Sequence, residues 1–271
     1  MAISDISLTA GMRSNLLQLQ GTTKLIDRTQ ERLSTGRQVN SALDNPTNFF
    51  AAQAAQNRAS DFAVRKDGMA EGIQTVKAAD AGISAITSLV EAAKGLAEAA
   101  LGTTNTVDRA SFASQFGTLR AQIDTLATDS GYRGTNLINN QNLTVNFNED
   151  ATASLTVTGF TATSTGLTID SATNAWAGSA DITAAQADLN SATTELRKQS
   201  KNLANNLNII TTRQGFTDAM INTLKTGADN LTLADMNQEG ASMLMLQTRQ
   251  SLGTTALSLS SQAAQSILRL F

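Results

Sequence analysis

The fold is decided by residues 189–231, which read LNSATTELRKQSKNLANNLNIITTRQGFTDAMINTLKTGADNL. Every seventh residue of this stretch belongs to one unbroken row, formed by Leu189, Leu196, Leu203, Ile210, Thr217, Leu224 and Leu231. A largely apolar row with this spacing, sustained over so many repeats, is typical of a helix that is supercoiled against neighbouring helices. The sequence therefore predicts a long coiled-coil helix here. We assign its seam to Leu189, Leu196, Leu203, Ile210, Leu224 and Leu231.

A second row with the same spacing lies earlier in the chain and supplies a partner for this helix. It consists of Met69, Val76, Ile83, Val90 and Ala97, of which we assign Met69, Val76, Ile83 and Val90 to the coiled-coil seam. A further stripe with steps of three and four, Phe112, Phe116, Leu119, Ile123 and Leu126, predicts another helix. Both halves of the chain therefore contribute long helices to one bundle.

The two chain ends carry helical stripes that a bundle within one copy of the chain does not account for. The N-terminal stripe includes Leu8, Met12, Leu16, Leu19, Ile26 and Leu33, and the C-terminal segment contains Leu252, Leu257, Leu259, Ile267, Leu268 and Leu270. From Ala241 to Phe271 the charged side chains are Arg249 and Arg269 alone. A helix that is neutral nearly all round needs protein on most of its sides, more than one N-terminal helix provides. These twelve residues are therefore our candidate self-assembly interface.

The central residues 140–180 break the helical pattern. Leu143, Val145 and Phe147 alternate with polar residues, and so do the pairs Leu155 with Val157 and Leu167 with Ile169. Alternation of this kind predicts one or two β-hairpins in a small, polar, exposed insertion. The predicted fold is mainly α: a long antiparallel coiled-coil or helical-bundle rod built from both chain ends, with a small β-hairpin insertion in the middle.

Composition argues against several classes of function. The 271 residues include neither His nor Cys, and no phosphate-binding or zinc motif is present, so we expect no enzyme, no cofactor and no metal site. The net charge is −3 with no basic block, which disfavours a nucleic-acid partner. No apolar run approaches the ~18 residues of a membrane span. Residues 1–10 lack the basic head and apolar run of a cleavable secretory signal.

Short motifs in both halves carry a resemblance to a known family. The N-terminal motifs are Arg32-Leu-Ser-Thr-Gly36, Val39-Asn-Ser-Ala42 and Asp44-Asn-Pro46, followed by residues 116–124 and 134–137. The C-terminal motifs are Leu233-Ala-Asp-Met236, Leu246-Gln-Thr-Arg-Gln250 and residues 262–268. In order and spacing the chain resembles bacterial flagellin over about residues 1–139 and 181–271.

The resemblance implies that successive segments of the chain have different structural roles. It suggests an N-terminal core helix and joint (1–44), the two halves of a rod domain (45–139 and 181–232), a short variable β-rich insertion (140–180) and a C-terminal core helix (233–271). It implies an extracellular structural protein that polymerises with itself into a helical flagellar filament for motility. The flagellar export apparatus, a chaperone, and hook-junction and cap proteins would be its other partners, with export needing no cleavable signal peptide. The alternatives are a hook–filament junction protein and a secreted coiled-coil effector.

Overall fold

The computed structural model describes residues 10–268, apart from the side chains of Ala264, Ile267 and Leu268, and it confirms a mainly α fold. The described residues contain five long helices: α1 (Ala10–Thr35), α2 (Pro46–Gly102), α3 (Thr106–Asp129), α4 (Ser179–Thr232) and α5 (Met236–Leu268). Between α3 and α4 lie the strands β1 (Leu143–Asn146) and β2 (Ser154–Val157) and a short 3-10 turn at Thr173–Trp176. The strands pair antiparallel, with Val145 opposite Leu155.

The chain divides into two compact units. One contains the described residues of Met1–Asn57 and Thr223–Phe271, and the other contains Arg58–Asn222. The second unit therefore begins and ends inside the predicted rod limits of 45 and 232. Backbone hydrogen bonds explain why the end of α4 belongs with the terminal helices, because the carbonyl of Thr232 accepts from the N–H groups of Gln38 and Val39 at 2.8 and 3.2 Å.

Within the second unit, α2 and α4 run antiparallel. Lys66 Nζ lies 2.6 Å from Asp218 Oδ1, and Ser200 Oγ donates to Asp80 Oδ1 at 2.9 Å. The later residue of α2 is thus paired with the earlier residue of α4. The seam residues of this unit are all buried in one hydrophobic core together with Phe116 and Ile123 of α3. They are Met69, Val76, Ile83, Val90, Leu189, Leu196, Leu203 and Ile210.

The hairpin of the insertion packs closely on α2. A Cβ atom on Gly72 would lie 2.8 Å from Val145 Cγ2, so a side chain at this position would push the strand away. Val145 and Val157 are buried, while Thr144 and Thr156 are exposed and place their hydroxyls 3.4 Å apart. One face of the hairpin therefore belongs to the core.

The second predicted hairpin, at Leu167 and Ile169, is absent from the described residues. This segment forms turns instead, in which the N–H of Ile169 donates to the carbonyl of Ser164 at 2.8 Å. Side chains of α3 take the place of a partner strand. Arg120 Nε donates to the carbonyl of Ile169 at 2.9 Å, and Asp124 Oδ1 accepts from the N–H of Ser164 at 2.6 Å.

The inner face of the insertion also corrects the expectation of a polar, exposed segment. Leu167, Ile169 and Trp176 are buried, and the Trp176 ring centroid lies 4.9 Å from that of Phe116. Asn174, Ala175 and Trp176 adopt positive φ values of 49°, 49° and 59°. This left-handed turn brings the indole against α3, which explains why a segment rich in Thr and Ser contributes to the core.

Candidate self-assembly interface

The terminal pair, α1 and α5, lies within the first unit and runs antiparallel. Arg32 Nη1 is 3.0 Å from Glu239 Oε1, which joins the end of α1 to the beginning of α5. Further along, a Cβ atom on Gly253 would lie 2.8 Å from Leu19 Cδ2. The two helices therefore approach each other closely where α5 has no side chain.

The joint, residues 36–45, connects α1 to α2 and is tied to the chain before α5. Gly36 ends α1 with φ +69°, a conformation that costs glycine little. Its carbonyl accepts from the N–H of Ala234 at 3.0 Å, and Arg37 forms a β-bridge with Leu233. The residues that follow α1 are thus joined to the residues that precede α5 by backbone hydrogen bonds.

The turn-forming motifs of the joint cap helices. Asn45 Oδ1 accepts from the N–H of Asn48 at 3.1 Å, and Pro46 occupies the first position of α2, where its missing N–H costs nothing. Asp44 Oδ2 accepts from the N–H of Ser41 at 3.0 Å, and this backbone hydrogen bond lowers the pKa of Asp44. The motif residues that carry the family resemblance therefore have structural roles.

The beginning of α5 is capped in the same way. Asp235 Oδ1 accepts from the N–H groups of Asn237 and Gln238 at 2.9 and 3.2 Å. A carboxylate in this position satisfies free N–H groups and complements the positive end of the helix dipole. The cap fixes where α5 starts.

The most regular apolar stripe of α5 is exposed within one copy of the chain, although its first member, Met245, also lines the cleft between α5 and α1. Met245, Leu252 and Leu259 recur every seventh residue and are 50%, 65% and 62% exposed. The side facing α1 instead carries Gly253, beside the buried Leu246. The structure therefore leaves a long apolar stripe of α5 uncovered within one copy of the chain.

The predicted interface residues differ in exposure. Met12 is buried, Leu19, Ile26, Leu33 and Leu257 are half-buried, and Leu16, Leu252 and Leu259 are exposed. Leu8 and Leu270 lie outside the described residues, as do the side chains of Ile267 and Leu268. On the remaining seam, Leu224 and Leu231 are half-buried in the first unit.

Sequence reasoning missed four apolar residues on this surface. Leu17, Leu25, Leu244 and Met245 are 45–69% exposed, yet none was among the predicted interface residues. The overlooked feature was the pairing of adjacent apolar residues, as in Leu16-Leu17 and Leu244-Met245. Neighbouring residues point about 100° apart on a helix, so such pairs widen the apolar surface beyond one stripe.

Replacing Gly253 by Leu should weaken the terminal pair and reduce assembly. The first side-chain carbon already meets Leu19, so a larger side chain must separate the helices. Intrinsic helix propensity works in the opposite direction, since leucine favours a helix over glycine by about 0.8 kcal/mol. Sedimentation of polymer at a series of concentrations measures the effect. Gly240→Leu is the matched control, because no atom lies within 4 Å of a Cβ at Gly240, and a loss of assembly in both variants would contradict a role for packing at Gly253.

Folding stability should be nearly flat from pH 6 to 8 and should fall only in acid, because the chain has no His. The side-chain amide of Gln199 donates a hydrogen bond to Glu195 and lowers its pKa. The backbone N–H of Glu149 lowers the pKa of the Glu149 carboxyl group, and a hydrogen bond from Arg58 lowers it further. A carboxyl group whose pKa is lower in the folded state stabilises the fold at pH values above its pKa in the unfolded chain. This stabilisation is lost as the pH falls through the pKa of the folded state. Thermal unfolding followed by circular dichroism should show Tm falling only below about pH 4.5. A steep change near pH 6.5 would contradict this.

Within residues 10–268, none of the helices has the length and apolar character needed to cross a membrane. In the same residues, no three acidic side chains are grouped so that they could hold a metal ion.

Comparison with known proteins gives consistent matches over the whole chain. A family model described as the bacterial flagellin N-terminal helical region matches residues 3–143. Flagellin FljK of Caulobacter vibrioides is 33% identical, and flagellin FljM of the same organism is 31% identical, each over 100% of both chains. A flagellin of Brucella melitensis is 27% identical over 99% of each chain. The chain therefore belongs to the bacterial flagellin family, and it is a structural subunit of the flagellar filament.

Proposed function

We propose that this flagellin polymerises by burying the outer faces of α1 and α5 against other copies of the chain. The observation that carries the proposal is the stripe of Met245, Leu252 and Leu259, which is at least half exposed on a helix with almost no charge. Burying a Leu side chain completely stabilises by about 1.5–3 kcal/mol. Ordering the backbone offsets part of this by roughly 1–2 kcal/mol per residue, so many neighbours must contribute at once.

The remaining segments take distinct roles in the proposal. Residues 1–44 and 233–271 supply the core helices and the joint, and residues 45–139 and 181–232 form the rod. The insertion, residues 140–180, would face outward from the filament. The protein would act without catalysis, in keeping with the structural role of the flagellin family.

The proposal extends to the partners of a filament subunit. Subunits would leave the cell through the flagellar export apparatus with the help of a chaperone, and would meet hook-junction and cap proteins at the growing filament.

Electron microscopy of the concentrated, purified chain tests the assembly function. Addition of short filament fragments as seeds should produce long filaments, and sedimentation should show a critical concentration. A chain that stays monomeric with seeds at every concentration would contradict polymerisation by these helices.

A further inference from the structure

Charged residues form two neighbouring rows on α1. Lys24, Arg28 and Arg32 recur every four residues, and Asp27 and Glu31 form a parallel acidic row. Like charges four residues apart are neighbours on a helix and destabilise it when it stands alone. The sequence thus places two rows of repulsive pairs on a helix that gains nothing from them by itself.

The two rows could compensate each other, but the structure does not pair them. Within residues 10–268 no ion pair joins Lys24, Asp27, Arg28 or Glu31 to any group, although opposite charges stand three residues apart. Arg32 alone has a partner, Glu239 on α5. The acidic row and Arg28 are therefore available to groups outside this copy of the chain.

A cavity of about 490 Å³ between α1 and α5 collects the unmatched positive charge. Arg28 and Arg32 line it from α1, and Arg249 lines it from α5. Its two acidic groups are already engaged, because Asp235 accepts from backbone N–H groups at the start of α5 and Glu239 pairs with Arg32. In the described residues Arg28 and Arg249 form no ion pair with either carboxylate, and the cleft carries three cations (Arg28, Arg32, Arg249) against two anions (Asp235, Glu239).

Arg249 stands out because α5 carries so few charges. Between Ala241 and Ser266 it is the one charged side chain, and it is exposed beside the apolar stripe. Assembly through that stripe would remove water from the surroundings of Arg249. A cation that is buried without a partner is strongly destabilising, and a carboxylate from a neighbouring copy would remove that cost.

We propose that Asp27 and Glu31 of one copy dock against Arg28 and Arg249 of a neighbouring copy. The inference rests on the proposed assembly through α1 and α5 and names the charged contacts within it. The planar guanidinium fork suits paired hydrogen bonds to a carboxylate. In a filament the row of one copy would meet the cleft of the next, a head-to-tail contact, which generates an open helical polymer rather than a closed dimer.

Charge reversal tests the pairing with two full-length variants. In the first, D27K and E31K make both the row and the cleft basic. In the second, R28E and R249E make both acidic. Because each variant alone repels itself, its critical concentration should rise about tenfold or more. A one-to-one mixture of the two should form filaments in which the variants alternate.

The fourfold variant combines D27K, E31K, R28E and R249E, so the charges of the row and the cleft are exchanged while the net charge stays that of the parent. Its critical concentration should lie within about threefold of the parent's. Matched controls R197E and K201E reverse two exposed cations of α4 and should leave assembly unchanged. Assembly of either reversed pair at the parent's concentration, no recovery in the fourfold variant, or an equal loss in the controls would overturn the pairing. Filaments of the parent in the same experiment show that polymerisation itself stands, which separates the two claims.

Discussion

A chain that lacks Gly253–Phe271 is expected to form no filaments while its second unit stays folded. The deletion removes Leu257, Leu259, Ile267, Leu268 and Leu270, each of which would contribute about 1.5–3 kcal/mol if it were fully buried between copies. Leu257 and Leu259, the two whose side chains the structure describes, do not belong to the hydrophobic core that α2, α3, α4 and the hairpin share. The loss therefore falls on assembly and leaves folding of that core intact.

Sedimentation and electron microscopy at high concentration, with seeds added, measure the loss of filaments. Circular dichroism provides the control, since the truncated chain should keep a cooperative thermal transition close to that of the parent. Filaments from the truncated chain would contradict assembly through α5. A truncated chain without a cooperative transition would contradict the independence of the second unit.

Leu203→Asp should have the largest effect on folding. Leu203 is 4% exposed in the seam of α4, where a carboxylate finds no cationic partner among the neighbouring seam side chains. Loss of the buried leucine, together with burial of a polar group, should lower the free energy of unfolding by about 3–5 kcal/mol. Urea unfolding followed by circular dichroism measures the change.

The adjacent residue provides a matched control for this substitution. Asn202→Asp introduces the same carboxylate one position away, on the exposed side of α4. Surface substitutions of this kind usually change stability by within about 0.5 kcal/mol. Equal stability of the Leu203 variant and the parent would show that the seam assignment is wrong, and an equally large loss in the Asn202 variant would show that burial does not account for it.

The helical fold could be predicted because the seven-residue repeat survives in the sequence almost without interruption. The row from Leu189 to Ile210 repeats a single environment, and an apolar repeat sustained in this way imposes supercoiling on a helix. The degree of burial was less predictable. Leu224 and Leu231 continue the row but are only half-buried, because a repeat within one helix identifies its apolar face and does not specify what covers it.

The same distinction applies to α5. Leu252 and Leu259, which belong to the predicted interface, are exposed, and α1 meets α5 at the side that carries Gly253. Close approach of two helices depends on the absence of a side chain, which a hydrophobic pattern does not register. An apolar stripe therefore marks surface that needs covering, whether by the same copy or by another.

The insertion was the least predictable part because its structure depends on contacts that are distant in sequence. Leu167 and Ile169 alternate as in a strand, but Arg120 and Asp124 of α3 bind the backbone of this segment. Trp176 is positioned by a turn of residues with positive φ, none of which is glycine. Neither feature leaves a local pattern from which it could have been inferred.

Hydrogen exchange of the α1 and α5 amides, compared between monomer and filament, tests most directly whether the terminal helices complete their burial only by assembly. Two helices that each cover one face of the other are marginal alone, so amides in residues 10–35 and 236–268 should exchange about a hundredfold or more faster in the monomer than in the filament. Amides of the seam between Leu189 and Ile210 should be protected in both states and provide the internal reference. Equal protection of α1 and α5 in monomer and filament would contradict burial by assembly.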